Sequence, residues 1–593
     1  MLRNISVILA TLTLLAGLNS SLSAQPVQQP MSFGPIGIWD LRQVDPWLNG
    51  VRVRVGLVES QEATASNQAG FKFLPDFSHN AFQQKKPTQL FHYQNPHRPV
   101  QLSAHASMIA GILIGDDPNG FHDGLGSFEY KGVVPQAQLN VFNAEWFIYN
   151  RALQNGSVSL AHDVLSISWG TDCDKSTTMW WQRGIDALVE RERCVVVAGC
   201  GNGQSESHEI YKPAWGYNVL SVGTAVGLGE YPFNLYYVGP PNPQQSSCGP
   251  TDDGRAKPEV LALGLCLGPV IESKESYDKD NISYTSFSAP QVAGVAALLI
   301  DAARQNKISS GDDPRLIKAL IVNGANKLIG WHKGTFTAED DHSVPLDYRQ
   351  GAGLVNALNS YRQLVAGRYS KNQTESENES AANIGWDVAE LLYTHNDRYN
   401  KKVYHLAKPL RSGGSFKATL NWYRSYKSDV AFSPLPLKKL VLELWSTDQQ
   451  GNLISLLDYS ASDKDNLQHI YFSSDAEQTI ALVVRADLNE ASAAFDRVGF
   501  ALAYSDADEN WSGDQFASDF NVDGIVDEAD LIRLIDTWRF HDENPDLAPQ
   551  TANLIYVPED INCNGLIDDG DFEIFIRQFG QISPWRPSNS PVK

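Results

Sequence analysis

Between about residues 33 and 365, short β-branched runs (VRVRVGLV, QLNVFNA, VLSIS, CVVVAG, NVLSVGTA) recur with longer helical stretches between them. A chain that alternates in this way folds stably as strands side by side in a mainly parallel sheet, with helices packed on its faces. Function in such sheets gathers beyond the carboxyl ends of the strands, so candidate residues are sought where these runs stop. With 593 residues the chain has room for a large core and for further domains.

The pattern then changes. RYSKNQTESENESAAN is polar and aperiodic and reads as a linker, residues 366–384. From 385 to 506 strands dominate, with period-two faces at Phe416, Ala418, Leu420 and Trp422, at Leu440, Leu442 and Leu444, and at Val498, Phe500, Leu502 and Tyr504. That alternation predicts an all-β sandwich. Residues 514–582 hold a twofold internal repeat.

Net charge is −22, from 69 acidic and 47 basic residues, which argues against a long basic groove for nucleic acid and favours cation binding. MLRNISVILATLTLLAGLNSSLSAQP has an early Arg3, an apolar run too short to span a bilayer comfortably, and small residues up to Ala24. It reads as a signal peptide over 1–24, with an uncleaved anchor as the alternative, and predicts an exported protein without a transmembrane segment in its mature form. Cys173, Cys194, Cys200, Cys248 and Cys266 share one region and Cys563 lies far away, a set that fits an oxidising compartment with at least one of the first five left free.

The stretch YTSFSAPQVAG places Ser286 ahead of a small and apolar helix, with Pro290 where a first-turn proline is tolerated. Ser286 is either a helix cap or a nucleophile. A serine nucleophile needs an imidazole to take its proton and an acid to orient that imidazole. His105 lies in LSAHASMIAGILIG, and Glu59 ends the strand VRVRVGLVES, with Glu62 as the competing acid.

These motifs, in the order acid, histidine, serine, resemble those of subtilisin-like serine peptidases. YTSFSAPQVAG resembles the family's nucleophile pattern, HASMIAG its histidine pattern, and VGLVESQ the strand that ends in its acid. SISWG, VVVAGCGNG, SSCGPTDDGRAKPEVLALG and QGAGLVNA extend the resemblance over most of residues 40–365. It implies a peptidase domain over 25–365, with Ser286 as nucleophile, His105 as general base, Glu59 orienting it, and Asn202 donating to the oxyanion. It also implies that Ser168, Trp169 and Gly170 pair with the backbone of a polypeptide substrate; Trp169 is either a wall of a subsite or core. Two positions depart from the family pattern: Glu59 stands where aspartate is usual, and Tyr284 where glycine is. Two readings follow, an endopeptidase working through an acyl-enzyme and a catalytically impaired peptide-binding protein. Transpeptidation by the same acyl-enzyme stays open.

DFNVDGIVDEAD and DINCNGLIDDGD each set oxygen ligands at loop positions 1, 3, 5, 7, 9 and 12, the spacing that wraps a calcium ion. In the first these are Asp519, Asn521, Asp523, the Ile525 carbonyl, Asp527 and Asp530. In the second they are Asp560, Asn562, Asn564, the Leu566 carbonyl, Asp568 and Asp571. Aspartate at position 12, and a helix only after each loop, make the pair resemble a dockerin, a small α-helical, EF-hand-like module. That resemblance implies two calcium ions and a cohesin-like or cell-surface anchoring partner.

Overall fold

The computed structural model describes residues 27–60, 71–82, 89–91, 100–154, 159–171, 179–203, 209–228, 237–271, 273–279, 284–328, 330–334, 341–369, 383–393, 400–487, 496–506, 518, 526–543 and 569–580. The expected signal segment and Glu62 lie outside them.

The predicted sheet is present. Its strands are β1 (Arg54–Glu59), β2 (Gln89–Phe91), β3 (Gln138–Asn143), β4 (Val164–Ile167), β5 (Val195–Gly199), β6 (Leu220–Leu228), β7 (Tyr237–Gly239) and β8 (Val260–Leu263). They lie in the order β7-β6-β5-β4-β1-β3-β2, with β8 also on β6, and only the β6–β7 pair is antiparallel. The central strands β4 and β5, and β8 at the side of β6, are buried throughout, as expected of parallel strands covered on both faces.

Around the sheet run α1 (Ala104–Ile114), α2 (Met179–Glu192), α3 (Thr285–Gln305), α4 (Pro314–Gly324) and α5 (Ala357–Ala366). Among the described residues α3 is the one helix long and apolar enough to cross a membrane, and it is instead almost wholly buried in the protein core. Its small residues permit close packing: a Cβ on Gly294 would lie 2.5 Å from the Val133 side chain.

The later strands form two four-stranded sheets from β9 (Ile384–Tyr393), β10 (Lys401–His405), β11 (Ser415–Trp422), β12 (Leu440–Thr447), β13 (Leu453–Ser460), β14 (Leu467–Ser473), β15 (Ile480–Ala486) and β16 (Asp496–Asp506). Their orders are β9-β16-β11-β14 and β10-β15-β12-β13. The apolar faces read from sequence meet in one core containing Phe416, Leu420, Trp422, Leu442, Phe500 and Leu502.

The opposite face of β11 is not solvated, contrary to simple alternation: Lys417, Thr419 and Asn421 are buried as well. They are covered because this sheet packs on α4. Thr419 Oγ1 donates to Asn323 Oδ1 at 3.0 Å, Asn323 Nδ2 donates to Gln363 Oε1 at 2.7 Å, and Asn421 Nδ2 donates to the Arg315 carbonyl at 3.1 Å. Lys327 Nζ donates to His469 Nε2 at 2.7 Å. Burial, then the Lys327, Lys333 and Lys417 ammoniums, hold that imidazole well below its ordinary pKa, so it is neutral.

Last come α6 (Glu528–Glu543) and α7 (Asp569–Gln578), which share a small core of Val526, Leu534 and Phe575. Cys194, Cys200, Cys248 and Cys266 are all thiols, a larger free set than the sequence required, while Cys173 and Cys563 lie outside the described residues.

Candidate active site

The candidate residues converge on one edge of the parallel sheet. Glu59 is the last residue of β1, Ser168 follows the end of β4, and Asn202 lies just past β5. His105 is the second residue of α1, whose N-cap Ser103 accepts from the Ala106 N–H at 3.0 Å. The cap fixes the start of the helix and with it the side chain beside Glu59.

His105 Nδ1 and Glu59 Oε2 are 3.0 Å apart. The longer carboxylate therefore reaches the imidazole without loss of the contact. Glu59 is 1% exposed and His105 33%, so the acid is buried and the imidazole reaches the cleft. A buried carboxylate beside Nδ1 favours the tautomer with the proton on Nδ1, leaving Nε2 as the base. Glu59 Oε1 is buried and has no hydrogen-bond partner among the described residues, so the acid is held through a single oxygen.

Ser286 does not cap its helix, contrary to one of the two sequence readings. Tyr284 occupies the N-cap position with an extended backbone and makes no side-chain cap bond. Its side chain is half-buried against the main core. The capping acceptor comes from a distant loop: Asn202 Oδ1 accepts from Thr285 N at 3.1 Å and from Thr285 Oγ1 at 2.8 Å. With its carbonyl end fixed twice, the Asn202 amide keeps Nδ2 as a donor. Ser286 is then the second residue of α3, and its backbone N–H is one of the first-turn donors that the helix itself cannot satisfy. Thr285, which sequence reasoning passed over, thus orients Asn202.

Pro290 is likewise displaced from expectation, lying in the second turn of α3 rather than the first. Lacking an N–H, it cannot bond to the Ser286 carbonyl four residues earlier. That carbonyl instead accepts from Ser168 Oγ at 2.7 Å, and Ser286 Oγ donates to the Ser168 carbonyl at 3.1 Å. The residue expected to hold substrate backbone and the expected nucleophile are therefore clasped to each other. On the far side, the Phe287 ring lies 5.8 Å from that of His105 and keeps the imidazole next to this turn.

Of the other expected substrate contacts, Gly170 is exposed and Trp169 is half-buried. The Trp169 ring lies 5.9 Å from that of Trp181 and packs on a buried cluster. Cys200 sits immediately before the Asn202 loop, but burial pushes its thiol up to about 12 and keeps it neutral.

Of the expected calcium ligands, Asp527, Asp530 and Asp571 are described. Asp530 and Asp571 are fully buried in the first turns of α6 and α7, and Asp530 Oδ2 accepts from the Asp527 N–H at 2.9 Å. Asp519, Asn521, Asp523, Ile525, Asp560, Asn562, Asn564, Leu566 and Asp568 lie outside the described residues. Among those described, no three His, Cys, Asp or Glu side chains cluster as a metal site.

A sequence model of the subtilase family, Peptidase_S8, matches residues 70–353, a span that includes His105, Ser168, Asn202 and Ser286 but begins after Glu59. Subtilisin-like protease SBT6.1 of Arabidopsis thaliana is 26% identical over 266 residues, 44% of this chain and 22% of that protein. Pyrolysin of Pyrococcus furiosus is 29% identical over 309 residues, 46% and 21% of the two chains. Serine protease AprX of Bacillus subtilis is 27% identical over 264 residues, 40% and 53%. The matched part spans about a fifth of the length of the first two relatives and about half of the third.

Proposed function

We propose that this chain, whose residues 70–353 match the subtilase family model, is a serine endopeptidase that cleaves polypeptides through an acyl-enzyme on Ser286. The observation that carries the reading is the Glu59–His105 contact at 3.0 Å, at the same sheet edge as the Asn202 loop and the start of α3. Ser286 Oγ attacks the scissile carbonyl carbon as His105 Nε2 takes its proton. The carbonyl oxygen becomes an oxyanion that receives hydrogen bonds from Asn202 Nδ2 and the Ser286 N–H. Collapse breaks the C–N bond, and His105 hands the proton to the departing amine. Water, deprotonated by the same imidazole, then cleaves the ester. Throughout, Glu59 stabilises the imidazolium from the Nδ1 side.

The proposal extends to export, by way of residues 1–24, and to anchoring, by way of the terminal helices. Ile532 and Ile535 on α6, Ile576 on α7 and Phe579 just after it are 42–56% exposed, which supports a partner-binding face of the dockerin type for a cohesin-like or cell-surface partner. Two calcium ions would be held by the two repeats. Asp530 and Asp571 fit that role, since a buried carboxylate needs a cation or several donors. The calcium ions would order the loops that precede α6 and α7 and take no part in peptide cleavage.

A fluorophosphonate probe tests the central reading. The full chain is expected to be labelled, Ser286→Ala is not, and Asn202→Ala should lower turnover on peptides about 100- to 1,000-fold. Folded wild-type protein that shows no Ser286-dependent labelling overturns it.

A further inference from the structure

Two glycines flank the cleft beside Ser286, and the Tyr211 side chain lies against both, with Ser247 Oγ also against the second. Gly170 lies on the segment that follows β4, and Gly201 lies on the loop that carries Asn202. A Cβ built on Gly170 would sit 2.8 Å from Tyr211 Cβ and 3.3 Å from its Cδ2. A Cβ on Gly201, which also has φ of +109°, would sit 2.8 Å from Tyr211 Cγ and Cδ1. Tyr211 thus stands between the two glycines, one edge of its ring toward each.

Its backbone is stitched to both walls. Tyr211 N donates to the Cys200 carbonyl at 2.8 Å, and the next residue exchanges two 3.1 Å bonds with Thr171. Held from both sides, the Tyr211 backbone cannot withdraw without breaking the walls themselves.

Resting on the endopeptidase reading above, the position of the cleaved residue follows. A peptide paired with residues 168–170, its scissile carbonyl at Ser286 and its oxygen toward Asn202, must thread the acylated residue between these segments. The side chain of that residue then points into the slot that Tyr211 occupies. We infer that Tyr211 makes this slot shallow and restricts the residue on the acyl side of the scissile bond to small side chains, glycine, alanine or serine.

The test uses the full-length protein and internally quenched peptides that differ only at that residue, alanine or phenylalanine, with fluorophosphonate titration of Ser286 alongside. The alanine peptide is expected to have the higher kcat/KM by at least about 100-fold, since a side chain several carbons too large is excluded. Tyr211→Ala should raise the phenylalanine peptide at least about tenfold, as an opened pocket admits the extra methylenes, whereas Tyr211→Phe, which keeps the ring, should preserve the wild-type order. Equal cleavage of the two peptides by wild-type protein overturns the inference while leaving the endopeptidase reading intact. Should Ser286 fail to label, that reading falls, and the slot is judged by calorimetry with peptide acids ending in alanine or phenylalanine. Tighter binding of the alanine acid supports the shallow slot; equal binding, or none, overturns it.

Discussion

In sequence, the strands of 384–506 and the terminal helices both look like appendages to the peptidase region, but they are joined to it differently. Trp386, Leu467, Ala501 and Ala503, all from the sandwich strands, belong to the same buried cluster as the core of the parallel sheet. Behind them a polar layer is satisfied across the junction: Asn323 with Thr419 and Ser505, Lys327 with His469, and Asp465 with the Ala256 N–H. The helices α6 and α7 instead draw on their own cluster of Val526, Leu534 and Phe575. The β region is thus part of the body that supports the active site, since α4 and α5 would otherwise present apolar and polar surface with nothing to cover it. An element's place along the chain does not reveal whether it shares a core.

Ending the chain at residue 380 should break the comparison most severely, giving protein that is insoluble or lacks a cooperative melting transition. Ending it at residue 510 should leave the main transition within about 2 °C of the full chain in calorimetry. Trp386→Ala should cost about 3–5 kcal/mol of stability in denaturant unfolding, because it opens a large cavity in the shared core and removes the Nε1 bond to the Leu364 carbonyl. Asn323→Ala leaves the Thr419 hydroxyl and the Gln363 amide oxygen each without this partner and should cost about 1–3 kcal/mol.

The smallest effect concerns pH. Burial pushes Asp465 up to about 6, against the opposing pull of Ser462, Arg255, the Ala256 N–H and Lys257. Its folded-state pKa therefore lies above the unfolded value of about 3.9, and the folded chain binds this proton more tightly. The stability contributed by that proton is complete below the unfolded value and is lost as pH rises through about 6. Asp465→Asn removes the dependence, so its melting temperature relative to wild type should rise between about pH 4.5 and pH 7.5. A constant difference across that range would show that the junction does not sense this carboxylate.

Glu59 ends a strand, His105 and Ser286 start helices and Asn202 follows a strand, each within a recognisable local motif, and that is why sequence singled them out as candidates. Sequence could not show how Glu59, one methylene longer than aspartate, would meet the imidazole, since that depends on how β1 and α1 are set against each other. Thr285, Ser168 Oγ and Tyr211 meet partners 83, 118 and 41 or 10 residues away, contacts that their local motifs do not announce. The sandwich was visible from its period-two faces, but its junction was not. Asn323, Thr419 and His469 look like ordinary solvent-facing residues until the sheet is laid on α4. Trp169 is a related case: its ring packs near Trp181 and a buried cluster, a contact its own motif does not announce.

One consequence of the Ser168–Ser286 clasp concerns the proton inventory of the resting site. A serine hydroxyl carries one proton, and here it is given to the Ser168 carbonyl. A peptide N–H that pairs with that carbonyl competes for the same lone pairs and turns the hydroxyl loose toward other acceptors. Under the endopeptidase proposal, pairing of substrate backbone and release of the nucleophile's proton would be a single exchange, whereas a small phosphonylating probe reacts whenever this one 3.1 Å hydrogen bond opens by itself.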